Sequence, residues 1–500
     1  MTVHLGIDLG TSSVKCALLS ADGVVVATSQ VTYPIDRPSI GWAEQHPDAW
    51  WSATAEAVRA VLAQHPTPAP SSIGLSGQMH GVVLVDGSNR PVRPAIIWPD
   101  ARTGREIDAW RSAVGDRFVS ITCGMPIAAG LAGLSLSWLA ANEPEALART
   151  ASILQPKDWV RFRLTGQLAL EPTDACASLL FSVVDEAPVP ELLELAGIHE
   201  GQLPPMMPTL AIGGHVTDAA AAATGLAPRT PVAAGGGDQA MAAFALGLDS
   251  PDRAAIAISS SGTALVPIAN DTGSLERQSR THHVIAGARP GSRIAMGVVM
   301  AAGLATRWLA DDLLLGATTE AALLEAADDI LAGADGLSGN PHFGGTRTPV
   351  VDSRPQGAFV GLSFLHTPAH LMRATVDGVA LSLTGSVQAI QDSREPVREI
   401  VLSGGGARFP TWHRAIADAS GLPVVLSSDL DHSPIGAALA GASANGDEVR
   451  FDGRSRVEGR VEPDPARAAA FRAARELAVE RGLLPAAHAT PTSTSEAMTR

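Results

Sequence analysis

Two short turns in the sequence combine glycine with hydroxyl side chains, a pattern that suits phosphate binding. The first turn begins after Asp8 and contains Gly10, Thr11 and Ser12. Glycine lets the backbone approach an anion, hydroxyls donate hydrogen bonds, and a carboxylate can orient metal-bound water. The second turn, Ser259–Thr263, repeats this chemistry in the second half of the chain. The pair suggests two phosphate loops facing each other across a cleft, although each alone could be an ordinary hairpin turn.

Two glycine-rich corners follow apolar strands. In the first, Gly235–Gly237 precede Asp238 and Gln239. Asp238 would lie at or beside a helix N-terminus, where its charged form is favoured and could take part in chemistry. The alternative is that Asp238 is an N-cap, a common task for aspartate. The second corner, Gly404–Gly406, could let an adenine or ribose lie against the backbone, or it could be a plain strand–helix corner.

Polar and aromatic residues also stand at two predicted strand ends. Met79 and His80 follow one strand, and Asp100 follows another shortly after Trp98. In α/β proteins the ends of strands are the usual place for ligand contacts. A lone histidine is more often structural than a ligand contact, so the residues alone leave the role of His80 open.

Charge and lysine content exclude several kinds of binding site. The net charge of −15 argues against nucleic acid or an anionic membrane as a general partner. The lysines are Lys15 and Lys157, and neither stands in a G-K-[ST] or a V-A-I-K motif. P-loop and protein-kinase phosphate sites are therefore excluded. Any ATP phosphates would have to be held by backbone N–H groups and hydroxyls.

The cysteines and the N-terminus indicate the compartment. Cys16, Cys123 and Cys176 lie far apart and show no metal-ligand spacing, which is typical of free thiols in a reducing compartment. The first ten residues have no basic segment before their apolar run, and no run of 18 apolar residues occurs anywhere. We therefore predict a cytoplasmic protein without a membrane span.

The order of elements predicts an α/β fold with an internal repeat. Strands over Val3–Leu9 and Ser13–Ser20 and a third strand start a meander, which is not the strand–helix–strand start of a dinucleotide-binding fold. Strands over Ala254–Ile258 and Thr263–Ile268 repeat the first two. We predict one domain over residues 1–249, a second over 250–484, and a disordered tail over 485–500.

Taken in order, the motifs resemble those of the FGGY carbohydrate kinases, most closely the members that act on xylulose. The resemblance runs from Val3 to about Leu483 and rests on the segments GIDLGTSSVK, GQMHG, AIIWPDAR, QPKDWVRFRLTG, TDACASLLF, AGGGDQA, GTRTP and SGGGAR. It implies an actin-like, ribonuclease H-like ATPase fold, with two similar domains around a nucleotide cleft. It also implies a sugar and ATP as substrates, Mg²⁺ as cofactor, and a homodimer as a plausible assembly.

The resemblance also implies roles for individual residues. Asp238 matches the family's general base, and Asp8 falls where the metal is held through water. The residues that fall in the sugar site are Met79, His80, Asp100, Asp238 and Gln239. The residues that fall in the ATP and phosphate site are Asp8, Gly10, Thr11, Ser12, Ser260, Ser261, Gly262, Thr263, Gly404, Gly405 and Gly406.

The activity implied is transfer of the γ-phosphoryl group of ATP to O5 of D-xylulose. Alternatives within the family are ribulose, fuculose, glycerol or a tetritol as acceptor. An alternative of another class is a non-catalytic, actin-like ATP-binding regulator. This last alternative draws on Ser259, which stands where the family usually has glycine. If that position requires a positive φ, Ser259 would be strained or the turn would shift.

Overall fold

The computed structural model describes residues 2–65, 69–248, 250–348, 354–390, 396–427, 431–451 and 457–484. The tail predicted for residues 485–500 lies outside this range. Within the described residues up to 248, the strands are β1 (Val3–Leu9), β2 (Ser13–Ser20), β3 (Val25–Thr32), β4 (Glu44–Gln45), β5 (Ser72–Gly77), β6 (Val83–Asp86), β7 (Ala95–Ile96), β8 (Thr150–Leu154), β9 (Ile212–His215), β10 (Pro231–Ala233) and β11 (Gly236–Gly237). The helices there are α1 (Pro47–Gln64), α2 (Gly104–Ala113), α3 (Gly115–Cys123), α4 (Ala132–Asn142), α5 (Pro144–Ala148), α6 (Pro156–Thr165), α7 (Pro172–Ala175), α8 (Pro190–Ala196), α9 (Asp218–Thr224) and α10 (Asp238–Ala245).

The described residues from 250 onward continue the numbering. Their strands are β12 (Arg253–Ile258), β13 (Gly262–Ile268), β14 (His283–Ala286), β15 (Arg293–Val299), β16 (Ser338–Asn340), β17 (Ala358–Val360), β18 (Glu399–Ser403), β19 (Val424–Ser427) and β20 (Val457–Val461). Their helices are α11 (Thr272–Ser279), α12 (Gly303–Trp308), α13 (Glu320–Asp328), α14 (Pro368–Ile390), α15 (Pro410–Ser420), α16 (Ser433–Asn445) and α17 (Pro465–Glu480).

Two large sheets repeat one arrangement. The first has the order β3-β2-β1-β5-β10-β9, with β11 paired to β5. The second has the order β14-β15-β13-β12-β18-β19-β20. In each sheet the first strand of the repeat is antiparallel to the next strand in the chain and parallel to a strand that arrives after a helical segment. The meander and the repeat of strand, turn and strand predicted from the sequence are therefore confirmed.

Helix α16 belongs to the second half of the chain but packs on the first sheet. A Cβ added at Gly6 in β1 would overlap the carbonyl oxygen of Pro434, and one added at Gly74 in β5 would overlap that of Ala437. The helix backbone therefore lies directly against the strands, which only glycine permits at these two positions. The division of the chain at residues 249 and 250 stays a prediction.

None of the helices in the described parts of the chain combines the length and the apolar composition needed to cross a bilayer.

Candidate active site

The carboxyl ends of three neighbouring strands bring the predicted base and the first phosphate turn together. Asp8 in β1 pairs in parallel register with Ser76 in β5, and Ser76 pairs in turn with Gly236 in β11. The chain leaves β5 into Met79 and His80, and leaves β11 into Asp238. Because the carboxyl ends of parallel strands lie at one edge of a sheet, these residues share that edge.

The loop that carries Asp238 is held tightly from both sides. A Cβ at Gly237 would lie 2.7 Å from Cγ of Met79, so this glycine lets the methionine pack against the loop. The N–H of Gly237 donates to the hydroxyl of Thr173 over 2.9 Å. Gly237 is the N-cap of α10 and Asp238 is its first residue, with Oδ1 accepting from the N–H of Gln239 over 2.7 Å. The alternative that Asp238 is merely the N-cap is therefore wrong.

A fully buried charged cluster lies behind this loop. Nζ of Lys157 contacts carboxylate oxygens of Asp158 at 2.8 Å, Glu171 at 3.1 Å and Asp174 at 3.5 Å, and all four side chains are 0% exposed. The hydroxyl of Thr173 donates to Glu171 over 2.9 Å while it accepts from the loop. The cluster therefore anchors the loop that carries Asp238 through one hydroxyl.

Sequence reasoning did not single out Thr173. The sequence did carry a signal. The chain has only two lysines, and one of them lies in the QPKDW segment. Acidic residues occur in the TDACASLLF segment and just before it. Buried charges need partners, so such a lysine indicates an internal network.

Three carboxylates come close enough to influence one another's charge. Burial raises the pKa of Asp238 to about 6, with a further contribution from Asp431. Burial, followed by the charges of Asp431 and Asp238, raises the pKa of Asp8 to about 7. Asp431 also forms an ion pair of 2.5 Å with Lys15. Asp431 was missed from the sequence because it lies in no recognisable motif and only the packing of α16 brings it here.

The arrangement of these carboxylates suits a magnesium ion held through water molecules better than an ion ligated directly by several side chains. Oδ1 of Asp8 is buried and has no hydrogen-bond partner among the described residues. In the same part of the chain, no group of three His, Cys, Asp or Glu side chains has the geometry to hold a metal directly. Mg²⁺ usually keeps several waters and takes one or two carboxylates plus substrate phosphates. Asp8 alone satisfies that requirement.

The first phosphate turn connects β1 to β2 and is braced by side chains from elsewhere. The N–H of Gly10 donates to the carbonyl of Ser13 over 3.0 Å, closing the turn. The indole of Trp98 donates to the hydroxyl of Thr11 over 2.8 Å, and Gln45 donates to the carbonyl of Thr11 over 2.8 Å. Ser12 is exposed. Trp98 thus connects the predicted sugar segment to the phosphate turn.

The second phosphate turn is well formed despite the serine at its start. Ser259 does not have a positive φ, and its N–H donates to the carbonyl of Ser261 over 2.8 Å. The strain considered for Ser259 is therefore absent. Ser260 is exposed, and Gly262 and Thr263 are the first residues of β13.

Gly404–Gly406 lie at the same edge of the second sheet as the second phosphate turn. They follow β18, which is paired in parallel with β12 up to Ala257 and Ser403. Gly404 has φ of +81°, and Gly405 and Gly406 begin a short 3-10 turn. The second phosphate turn and the predicted adenosine corner are thus neighbours. That the two phosphate turns face each other stays a prediction.

His80 is held as a neutral side chain in a strained backbone conformation. Its φ is +69°, unusual for a non-glycine residue and often associated with functional sites. Its Nδ1 lies 3.0 Å from the carbonyl oxygen of Ala177. Burial lowers the pKa of His80 to about 4, and the charge of Arg347 contributes. Burial likewise lowers the pKa of His283 to about 3, followed by the charge of Arg347. Arg347 and His283 are therefore near His80, a proximity that their sequence separation hides.

Asp100 is buried and its carboxylate is already saturated. It is 2% exposed. Oδ2 accepts from the N–H of Ala43 over 2.6 Å and from Nη2 of Arg102 over 2.7 Å. Oδ1 accepts from the N–H and from Nε of Arg102 over 3.0 and 2.9 Å. A carboxylate has about four lone-pair positions, so none is left open. This geometry supports a positioning role, and contact of Asp100 with a sugar stays a prediction.

Comparison with known proteins identifies the family. The N-terminal domain of the FGGY family of carbohydrate kinases matches residues 3–245, and its C-terminal domain matches residues 256–445. The chain belongs to the FGGY family of carbohydrate kinases.

Relatives of this FGGY kinase extend over nearly its whole length. A xylulose kinase of Escherichia coli strain K12 is 32% identical over 479 residues, which covers 95% of this chain and 97% of that protein. The crystal structure of xylulose kinase from Rhodospirillum rubrum matches with a TM-score of 0.87 and 29% identity, over 96% of this chain and 99% of that one. A gluconokinase of Bacillus licheniformis is 28% identical over 90% of this chain and 88% of that protein.

The predicted fold class is confirmed, since the two sheets match those of FGGY kinases and form a two-domain, actin-like α/β structure. The FGGY kinase is accordingly a carbohydrate kinase, for which ATP is the expected phosphoryl donor.

Proposed function

We propose that this protein transfers the γ-phosphoryl group of ATP to O5 of D-xylulose, with Asp238 as the general base. The observation that carries the proposal is the placement of Asp238. It stands at the carboxyl edge of the first sheet, on a loop packed against Met79 and next to the segment that carries His80. The relatives named xylulose kinase support the choice of sugar.

The chemistry asks mainly for positioning and charge stabilisation. Asp238 would accept the proton of the sugar hydroxyl as its oxygen attacks the γ-phosphorus. A pKa near 6 suits this task, because the carboxylate is ionised at neutral pH yet still basic enough to take a proton. Gln239 would keep the carboxylate oriented through the hydrogen bonds that its backbone and side chain make to Asp238.

The two hydroxyl-rich turns would hold the phosphates. Thr11 and Ser12 would contact one end of the triphosphate, and Ser260 and Ser261 the other, while Gly404–Gly406 would line the adenosine. Bound Mg²⁺, held through water by Asp8, would neutralise phosphate charge. Closure of the two domains over the substrates would exclude water and limit hydrolysis of ATP.

A second acceptor, D-gluconate, is favoured by one observation. Among the described residues no carboxylate pairs with Arg347, although its charge acts on both His80 and His283. An unpaired guanidinium beside a sugar site would suit the carboxylate of an aldonic acid. One relative at 28% identity is named gluconokinase.

The test is an ADP-release assay with MgATP against D-xylulose, D-ribulose, L-fuculose, glycerol, erythritol and D-gluconate. We expect the highest kcat/KM for D-xylulose. A preference for D-gluconate would replace the sugar and assign Arg347 to its carboxylate. If no acceptor is turned over while ATP still binds, the result would favour the alternative of a non-catalytic, actin-like ATP-binding regulator. Arg347→Met is the matched variant: it should leave D-xylulose turnover within a few-fold and abolish any turnover of D-gluconate.

A further inference from the structure

Both lysines of the chain are already paired with carboxylates. Lys15 forms an ion pair of 2.5 Å with Asp431. Lys157 is fully buried among three carboxylates. An ATP molecule nevertheless carries several negative charges into a protein whose net charge is −15. A local cation at the phosphates would offset this unfavourable background potential.

Arg307, on α12, reaches the second phosphate turn. Its Nη2 donates to the hydroxyl of Ser260 over 3.0 Å. The turn itself is fixed without this arginine, because the N–H groups of Ala302 and Leu304 donate to the carbonyl of Ser260 over 3.0 Å each, and that of Gly303 donates to the carbonyl of Ser259 over 2.9 Å. The hydroxyl contact is therefore not needed to shape the turn.

The guanidinium of Arg307 retains most of its hydrogen-bonding capacity. Arginine has five N–H donors, and the bond to Ser260 uses one. Among the described residues no carboxylate pairs with Arg307. A Cβ at Gly303 would lie 3.2 Å from Nη1 of Arg307, so the side chain folds back over the start of its own helix toward the turn. A partly buried, unpaired cation is thus directed at a hydroxyl-rich turn.

We propose that Arg307 is the cation of the phosphate site and contacts the β- and γ-phosphate oxygens of the nucleotide. This inference rests on the proposed function, since it assumes that Ser260 belongs to the ATP site. The planar guanidinium presents parallel N–H donors that match two phosphate oxygens in a fixed geometry, whereas a lysine ammonium acts as a point charge. Sequence reasoning, which looked for a cation only among the lysines, could not find it.

The same contact acts during transfer. The sugar oxygen bonds to the γ-phosphorus and its proton goes to Asp238. The bond from that phosphorus to the β–γ bridging oxygen breaks, and its electron pair stays on the β-phosphate of ADP. Arg307 stabilises the charge that builds there, so it supports the transition state as well as binding.

The primary test is calorimetric binding of ADP and of adenosine, without sugar, to wild type, Arg307→Met and Arg307→Lys. We expect Arg307→Met to weaken ADP binding by about 10- to 100-fold and to leave adenosine binding within twofold. Arg307→Lys keeps the charge and should recover part of the lost ADP affinity. If the methionine variant folds poorly, the lysine variant can be compared with wild type instead. In turnover, KM for MgATP should rise and kcat fall, with KM for the sugar unchanged.

Two further variants separate the cation from the turn. Ser260→Ala removes the hydroxyl and keeps the arginine, so its loss of ADP affinity should be the smaller. Arg280→Met removes an exposed arginine paired with Glu276 at 2.6 Å and should leave ADP binding unchanged.

Three results would overturn the inference. If Arg307→Met and wild type bind ADP with equal affinity, Arg307 does not contact the phosphates. Equal losses for ADP and adenosine, or for Ser260→Ala and Arg307→Met, would show that Arg307 only supports the turn. If the wild-type protein binds adenosine but not ADP, the two turns do not form a phosphate-binding site. The proposed function fails separately, if ADP binds as expected and no sugar is phosphorylated.

Discussion

Replacing Thr173 by valine tests whether the buried charged cluster positions the loop that carries Asp238, the proposed base. The hydroxyl accepts from the N–H of Gly237 over 2.9 Å and donates to Glu171 over 2.9 Å. Valine keeps the shape of the side chain but leaves the N–H of Gly237 buried without a partner, which costs about 1–3 kcal/mol. The loop can recover that energy only by moving the N–H toward another acceptor, and this would carry Asp238 with it.

A displacement of the base by about 1 Å lowers the rate on the order of 100-fold. We therefore expect Thr173→Val to lower kcat by about 10- to 100-fold, with KM for ATP and sugar nearly unchanged. The assay is ADP release under saturating substrates, alongside urea unfolding to measure the loss of stability. Thr173→Ser keeps the hydroxyl and should restore kcat.

Thr209→Val is the matched control. Thr209 is buried and its hydroxyl donates to the same Glu171 over 2.9 Å, but it meets the loop only through its carbonyl and its methyl group, which valine keeps. Its loss should reduce stability by about 1 kcal/mol and leave kcat within twofold. The reasoning is refuted if Thr173→Val keeps wild-type kcat, or if both valine variants lower kcat equally.

Four other outcomes are expected. Asp238→Ala should lower kcat at least ~10²-fold while ADP affinity is kept, and near-normal turnover would dismiss this residue as the base. Because burial raises the pKa of Asp238 to about 6 and only the ionised form accepts a proton, kcat/KM should fall as the pH drops below that value. Asp431→Asn removes a charge that raises this pKa, so the acid limb of the pH profile should move to lower pH; a limb that stays in place would contradict the assignment. Ser259→Gly should raise neither the melting temperature nor ATP affinity, because Ser259 does not have a positive φ; a higher melting temperature would reveal strain.

Local sequence patterns were sufficient for the two repeated strand pairs and for the turn that joins each pair. Apolar runs ended by glycine and hydroxyl residues located β1, β2, β12 and β13 to within a residue, and so predicted the repeat of the two sheets. These signals are short-range, because the period of a strand and the demands of a tight turn are decided within a few residues. Asp8 and Asp238 could be named for the same reason, since each stands where a strand ends.

The partners of those residues could not be read from the chain. Asp431 reaches Lys15 because α16, from the second half, packs backbone to backbone on the first sheet. Arg307 reaches Ser260 because α12 folds back onto the turn after β12. Asp100, which looked available to a sugar, is saturated by Arg102 and Ala43.

The sequence by itself therefore predicted the repeat of strand, turn and strand, the two turns rich in glycine and hydroxyl residues, and the place of Asp238 after a strand end. Tertiary structure alone decided which charges surround that base, which cation reaches the phosphate turn and which carboxylate is left open. The physical reason is that hydrogen bonds and charge effects act over a few ångströms in space, and the residues they join here are separated by tens to hundreds of positions in the chain.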